Sequence, residues 1–210
     1  MGEDLRSKNK GELIDLINQL RTENIALKAA QELFLQQSER IEKLERSFYL
    51  QQQYVRRDTI EITGIPATVE QVQLENEVIK IYNAAGVVVD SDAVKKRDIQ
   101  AVHRIGKKGT TICKFLNRKF ANQGLYSSAK LKGKELYGPN TSVYINSSFC
   151  DEFRHLNYLV RKAKKSKWIF RYKVKNGVNF VKMCEGDDDF QEVTHKSDLI
   201  RLKIIADDDA

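Results

Sequence analysis

Cysteine, proline and tryptophan are scarce in this chain, whose 210 residues include three, two and one of them. Cys113, Cys150 and Cys184 are far apart and form no C-x-x-C pair, which predicts reduced thiols rather than a disulfide framework or a zinc site. No apolar run approaches the roughly 18 residues of a membrane-spanning helix, and the first residues lack the apolar core of a signal peptide. We therefore expect no membrane partner and an intracellular location, in the cytoplasm, the nucleus or both.

Sequence signatures of catalysis are missing as well. His103, His155 and His195 have no carboxylate or thiol at a matching spacing, and the chain contains no P-loop, H-E-x-x-H or G-x-S-x-G motif. The three-aspartate tracts at 187–189 and 207–209 are typical of a surface loop and a tail rather than of a metal site. The sequence thus predicts no enzyme, no catalytic residues, no metal and no other cofactor.

Acidic residues are nearly absent from two long stretches of an otherwise mixed chain. Lys95 to Lys134 holds twelve lysines or arginines and one acid, and Arg154 to Lys182 holds ten and none. The formal net charge of +7 is therefore concentrated in these two stretches. Such segregation predicts a polyanionic partner, most often nucleic acid.

A seven-residue apolar repeat runs through residues 10–57, without a proline or a glycine after position 11. A heptad repeat keeps one seam of a helix turned toward a partner helix, so this segment predicts a coiled coil, preceded by a disordered tail at 1–9. At about 1.5 Å per residue the helix would be roughly 70 Å long. A solitary helix packed on its own domain is the alternative. The repeat consists of Leu13, Leu20, Leu27, Phe34, Ile41, Phe48 and Val55.

One local pattern bears on the number of strands in this coiled coil. Arg40 and Glu45 flank the apolar pair Ile41 and Leu44, which resembles a known signature of three-stranded coiled coils. The second seam is otherwise polar, and a polar seam specifies register and strand number more than it stabilises. We expect a homo-oligomer, specifically a trimer.

Residues 58–146 predict the order strand, helix, strand, strand, helix, strand. That order is the ferredoxin-like βαββαβ arrangement of RNA-recognition domains. The stacking motif of those domains is matched at Lys108, Gly109 and Phe115, but Thr110 and Ile112 replace its aromatic residues. Glu61 likewise occupies the place of the first-strand aromatic, so the sheet is not expected to read bases by stacking. Its basic residues are secondary candidates for nucleic-acid contact, namely Arg104, Lys107, Lys108 and Lys114.

Residues 147–205 predict a small basic helix–hairpin–helix domain, followed by an acidic tail at 206–210. A helix from about residue 149 ends in a basic cluster. Strands 169–175 and 178–183 flank Asn176-Gly177, a strong signal for a two-residue hairpin turn. A closing helix is expected at 197–205. The predicted nucleic-acid contacts on the first helix are Arg161, Lys162, Lys164 and Lys165.

The two-residue turn fixes which hairpin residues share a face. It pairs Lys175 with Val178, Lys173 with Phe180, and Arg171 with Lys182. The opposite face is mostly apolar and should pack on the preceding helix. The first face then predicts a phosphate-binding surface of four cations, with Phe180 as a stacking platform. A merely solvated charged face is the alternative.

Four segments carry a resemblance to known proteins: Ala101-Val102-His103-Arg104-Ile105-Gly106, Leu131-Lys132-Gly133-Lys134, Val143-Tyr144-Ile145-Asn146 and the hairpin 175–182. They resemble two related groups, the baculovirus few-polyhedra proteins and the first-open-reading-frame proteins of LINE-type retrotransposons. The resemblance implies a coiled coil, an RNA-recognition-like domain and a basic C-terminal domain. The retroelement members are trimeric coats and chaperones of their own RNA, and their hairpin often carries arginine where this chain has Lys175 and Lys182.

Together these patterns predict an α+β protein that binds single-stranded RNA or DNA as an oligomer with little sequence specificity, within a ribonucleoprotein. Three weak basic surfaces joined by one coiled coil gain avidity on a long strand. The alternative is a viral few-polyhedra-type assembly factor that acts through protein–protein contacts. The patterns leave a viral, mobile-element or domesticated origin open.

Overall fold

The computed structural model describes residues 10–106 and 109–205, and it shows a chain of the α+β class. The predicted tails at 1–9 and 206–210, together with Lys107 and Lys108, lie outside the described residues. None of the helices in the described ranges is both long and apolar enough to cross a membrane.

Helices and strands alternate through most of the described chain. The helices are α1 (Lys10–Tyr54), α2 (Leu74–Ala84), α3 (Arg118–Ser127), α4 (Asp151–Lys165) and α5 (Lys196–Arg201). The strands are β1 (Thr59–Thr63), β2 (Val88–Val89), β3 (Asp92–Ala93), β4 (Ile99–Ile105), β5 (Thr110–Phe115), β6 (Tyr144–Ser147), β7 (Arg171–Lys175), β8 (Val178–Lys182) and β9 (Gln191–Val193).

The chain divides into two compact units, with the boundary between Arg46 and Ser47. Helix α1 ends at Tyr54, three residues before the predicted end at Arg57. It ends there because residues 55–58 form a turn, in which Arg57 N–H bonds to the Tyr54 carbonyl. Val55, predicted as the last member of the heptad row, lies in this turn.

The apolar heptad row of α1 is exposed in the single chain. From Leu20 to Phe48 every member of the row is more than half exposed. Leu13, near the beginning of the helix, is half-buried. An apolar face that stays exposed on a surface helix is not packed against another element.

A four-stranded antiparallel sheet with the strand order β4-β5-β1-β6 forms the first part of the second unit. Strands β1 and β5 alternate in burial, so that Ile60 and Ile62 of β1 and Cys113 and Phe115 of β5 face inward. Helices α2 and α3 cover that inner face with a core that includes Leu74, Val78, Phe120 and Ala121. The β2–β3 hairpin between α2 and β4 was not predicted.

A three-stranded sheet with the order β7-β8-β9 and two helices form the rest of the second unit. The apolar side of α4, with Leu156 and Val160, packs on Val181 of β8 and on Leu199 of α5. Helix α4 begins at Asp151 with Cys150 in the N-cap position. The main-chain carbonyl of Ser148, just before it, accepts a hydrogen bond from the Gln53 side chain.

Candidate nucleic-acid interface

The solvent side of α4 carries its basic cluster. Arg161, Lys162 and Lys165 lie in the last turns of the helix and are exposed. They alternate with the apolar positions that face the core, and the helical period therefore directs them outward. Lys164 is used differently, because its ammonium group donates to the main-chain carbonyl of Phe170 and lies 5.8 Å from the Phe170 ring centroid. Lys164 thus joins the end of α4 to the beginning of the hairpin.

A groove of about 640 Å³ runs along this side of α4, and we call it the α4 groove. Its centre is Tyr158, whose side chain is 61% exposed although tyrosine usually buries much of its ring. Tyr158 was not predicted as a site residue. The signal was present, since residues 154, 158, 161 and 165 recur at helical spacing on one face. The groove is lined by Arg154, Asn157, Tyr158, Arg161, Lys162 and Lys165.

Arg154 connects the α4 groove to the four-stranded sheet. Its guanidinium donates to Glu61 Oε1 at 2.9 Å and to the Phe149 carbonyl at 3.2 Å. The Ser148 hydroxyl donates to the same Glu61 oxygen at 3.4 Å. Glu61, which stands where an RNA-recognition domain would carry a base-stacking aromatic, is therefore occupied by an ion pair with α4.

The outward face of the four-stranded sheet offers little for base stacking near Glu61. Glu61 pairs across the strands with Ile112 on one side and Asn146 on the other, and Ile112 pairs with His103. Tyr144, opposite Thr63, is exposed further along the same face. The part of the face around Glu61 therefore lacks an aromatic pair.

Arg104 does not point outward as a nucleic-acid contact. Its guanidinium is partly buried and donates to four main-chain carbonyls, at distances of 2.6 to 3.3 Å. A guanidinium so engaged is a structural clamp, so we remove Arg104 from the candidate interface. Lys114 is partly exposed and lies 3.9 Å from Asp58 Oδ2, a weak surface ion pair. The carbonyls belong to Ile65, Pro66, Val69 and Gly109.

The hairpin has the register that the sequence predicts. Arg171 is paired with Lys182, Lys173 with Phe180, and Lys175 with Val178. Asn176 and Gly177 both have positive φ angles, 54° and 75°, as the two-residue turn requires. The side chains of Arg171, Lys173 and Lys175 are exposed, whereas Lys182 is half-buried.

Two residues on the charged hairpin face are less open than predicted. Val178 is buried in a cluster with Phe149, Cys150 and Phe153, and Phe180 packs against that cluster. Phe180 is therefore half-buried, and the covered part of its ring is not open for stacking. This burial arises from tertiary packing, because the segment before α4 covers this end of the hairpin.

Strand β9 changes the charge of the same face. It pairs with the outer edge of β8 and places the exposed Glu192 opposite Phe180. The ammonium group of Lys173 lies 3.9 Å above the ring centroid of Phe190, which precedes β9. The hairpin face therefore includes one carboxylate and a cation held over an aromatic ring, neither of which was predicted.

The two predicted sets of cations do not form one surface. Helix α4 packs on the sheet face that contains Val181, Tyr172 and Met183. Arg171 and Lys173 belong to the opposite face, since neighbouring residues of a strand point to opposite sides. Phe153, nearer the beginning of α4, also packs with Val178 of the charged face, but none of the hairpin cations lines the α4 groove.

The described residues contain no metal centre, and the Cys113 thiol is not activated. No group of three or more histidine, cysteine, aspartate or glutamate side chains in this part of the chain could hold a metal ion. Burial, with a smaller contribution from the nearby Glu75 carboxylate, raises the pKa of the Cys113 thiol, so this thiol stays protonated at neutral pH.

The α4 groove thus combines an exposed aromatic ring with four cations, one of which, Arg154, is paired with Glu61. The hairpin supplies a second set of cations, accompanied by Glu192 and Phe190. Comparison of the chain with models of known protein families gives no match, and neither does comparison with curated proteins.

Proposed function

We propose that this protein binds single-stranded RNA or DNA as an oligomer, with low sequence specificity, in the manner of a retroelement coat or chaperone protein. The observation that carries the proposal is the α4 groove, where the exposed Tyr158 lies with Arg161, Lys162 and Lys165, and with Arg154, whose charge is paired with Glu61. No acidic residue occurs between positions 154 and 182, and the three other cations give the groove a positive field that favours a polyanion.

The chemistry of the groove suits single strands rather than a base sequence. Lysine and arginine side chains neutralise phosphates, which every nucleotide carries, so their contribution does not depend on sequence. An exposed tyrosine offers a ring on which any unpaired base stacks, and such stacking contributes about 1–3 kcal/mol per base. A duplex hides its base faces and lacks this second contribution.

The four-stranded sheet has the strand order of a ferredoxin-like, RNA-recognition-like domain, which supports the proposed relation to the few-polyhedra and LINE first-open-reading-frame proteins. In this proposal the sheet serves as a scaffold. Glu61 holds Arg154 of α4 at 2.9 Å in place of stacking a base. The nucleic acid then contacts the α4 side of the C-terminal part rather than the sheet.

Self-association through α1 completes the proposal. The exposed apolar row of α1 supports a coiled coil with further copies of the chain, and the Arg40-to-Glu45 segment favours three strands. Linking several weak grooves raises the affinity for a long strand, because each later contact forms at a high effective concentration.

A salt titration of the full chain with a fluorescent single-stranded oligonucleotide tests this function. We expect log K to fall linearly with log salt, by about 0.7 for each phosphate contact, and to be nearly equal for two unrelated sequences. Absence of binding at low salt, or a large preference for one short sequence that persists at high salt, would contradict the proposal.

The second candidate is a viral assembly factor of few-polyhedra type that acts through protein contacts. The exposed apolar row of α1 favours this second candidate if a different protein, rather than a second copy of the chain, packs on that row. Purification at low salt separates the candidates. Copurifying nucleic acid supports the first, and a nucleic-acid-free protein that retains another polypeptide supports the second.

A further inference from the structure

A second groove, of about 770 Å³, lies next to the α4 groove, and of its lining residues only Lys162 was predicted to contact nucleic acid. It separates the end of α4 from the end of α5. Leu159, Ala163 and Ile204 form its apolar floor, while Lys162, Lys203 and Trp168 stand at its rim. We call it the Trp168 groove. Its volume is within the range of about 300–1,000 Å³ that is typical of ligand sites.

The Trp168 side of the groove is fixed by the main chain at the end of α4. The Trp168 N–H donates to the Ala163 carbonyl at 3.0 Å, and the Lys167 N–H donates to the Lys164 carbonyl at 3.2 Å. Lys167 has a φ of 62°. These are the two bonds and the left-handed residue of a Schellman motif, which places the residue after Lys167 against the helix.

The opposite side of the groove has the same construction. The Ile204 N–H donates to the Leu199 carbonyl, and the Lys203 N–H donates to the Ile200 carbonyl, both at 2.8 Å. Lys203 has a φ of 55°. Two Schellman motifs therefore contribute to one groove, and both carry lysine at the left-handed position that usually takes glycine.

Trp168 is 61% exposed, although tryptophan is normally among the most buried residues on average. The helix cap explains the covered part of the ring, through its contact with the turn that contains Ala163. It does not explain why an indole, rather than a smaller apolar residue, is used where most of the ring remains in water.

Among the residues that the structure describes, the charge around the groove is positive and continuous with that of the α4 groove. Lys162 lines both grooves, and Lys203 stands across from it. None of the described residues that line either groove is acidic. An apolar floor cannot favour a phosphate, but it suits the face of a nucleobase whose neighbouring phosphates lie near lysines.

We propose that the Trp168 groove takes an unstacked nucleobase of the bound single strand, stacked on the Trp168 ring, while the adjoining phosphates pass Lys162 into the α4 groove. This inference rests on the proposed binding of single strands, and it adds the position at which one base is bound. Base identity is not read there, because stacking accepts every base.

The chain's single tryptophan makes a direct test possible, since its emission reports on this groove alone. The full chain is titrated with oligothymidylate and, separately, with an abasic phosphodiester oligomer of equal length and charge. Binding is followed by sedimentation, and Trp168 emission is recorded with excitation at wavelengths that tyrosine does not absorb. Oligothymidylate should quench the emission as it binds, whereas the abasic oligomer should bind more weakly and leave the emission unchanged.

Variants make the test quantitative. Trp168→Ala should weaken binding of oligothymidylate by about tenfold, within the range that one stacked base contributes, and leave binding of the abasic oligomer unchanged. Tyr126→Ala is the matched control, because Tyr126 is 83% exposed on α3, away from both grooves, and its loss should affect neither oligomer. Lys203→Gln keeps the tryptophan and should weaken both oligomers.

The outcomes separate the two proposals. Equal binding of both oligomers without quenching would overturn the base site while leaving single-strand binding in place. Failure of both oligomers to bind would overturn the proposed function and the base site together. Quenching by both oligomers to the same degree would show that phosphate alone occupies the groove, which also overturns the base site.

Discussion

Gln53 and Ser148 are joined by a hydrogen bond of 2.9 Å, from the glutamine Nε2 to the serine main-chain carbonyl, across 95 residues of sequence. The Oε1 of Gln53 accepts from the Cys150 N–H at 3.0 Å, and the side chain is only 2% exposed. Gly177 of the hairpin turn lies directly against this amide. The end of α1, the link between β6 and α4, and the hairpin turn therefore meet at one buried glutamine.

Gly177→Ala should destabilise the compact unit by about 2–4 kcal/mol. Gly177 has a φ of 75°, which costs an L-residue free energy, and its added Cβ would overlap the Gln53 amide. Displacing that amide would break two buried hydrogen bonds. Urea unfolding monitored by circular dichroism measures the change in the free energy of unfolding.

Gly86→Ala is the matched control for that substitution. Gly86 also has a positive φ, 64°, but nothing lies within 4 Å of its added Cβ. Only the backbone cost remains, about 1–2 kcal/mol. Equal losses in the two variants would show that the contact with Gln53 contributes nothing to stability.

Ile41→Asp should dissociate the proposed trimer. It places a charge in the exposed apolar row at the segment flanked by Arg40 and Glu45, where a coiled coil would bury it without a partner. Sedimentation equilibrium should then report a monomer, and far-ultraviolet circular dichroism should show that the second unit remains folded. Gln36→Asp, off the row on the same helix, should leave the trimer intact; a monomeric parent protein at tens of micromolar would contradict the proposal.

Neutralising the α4 cations should weaken binding more than neutralising the hairpin cations. The α4 variant replaces Arg161, Lys162 and Lys165 with glutamine, and the hairpin variant replaces Arg171, Lys173 and Lys175, so both lose three charges. The α4 set surrounds Tyr158 in one groove, whereas the hairpin face includes Glu192 and a lysine held over Phe190.

The salt dependence of binding measures this difference. Loss of three phosphate contacts should make the slope of log K against log salt shallower by about 2. Thermal stability should change little in either variant, because exposed charges contribute little to folding. A larger loss in the hairpin variant would place the main interface on the hairpin.

Lys167→Gly and Lys203→Gly should each stabilise the protein by about 0.5–1 kcal/mol. Both residues have left-handed backbone angles that glycine adopts without strain, and that gain exceeds the entropy that glycine adds to the unfolded chain. Differential scanning calorimetry measures the shift in Tm. Ser166→Gly is the control, since Ser166 has a φ of −80° and should gain nothing.

Local patterns were sufficient to predict most elements of the second unit. Strands 59–63 and 99–105 are found with the predicted bounds, and burial alternates with a period of two along the first of them. The Asn176-Gly177 turn fixed the hairpin register, because few other residue pairs adopt two successive left-handed conformations. The basic cluster of α4 could likewise be predicted, because its residues recur at helical spacing.

The sequence by itself determined the periodic elements, the segregation of charge and the turn, since each depends on residues only a few positions apart. Tertiary structure alone decided the direction of Arg104, which meets the Ile65 carbonyl 39 residues away, and the burial of Phe180. It also brought the ends of α4 and α5 together around Trp168. Arg104 reaches its carbonyl acceptors, and the ends of α4 and α5 form a groove, only after distant segments pack. The short-range periodicity of the sequence carries no information on such contacts.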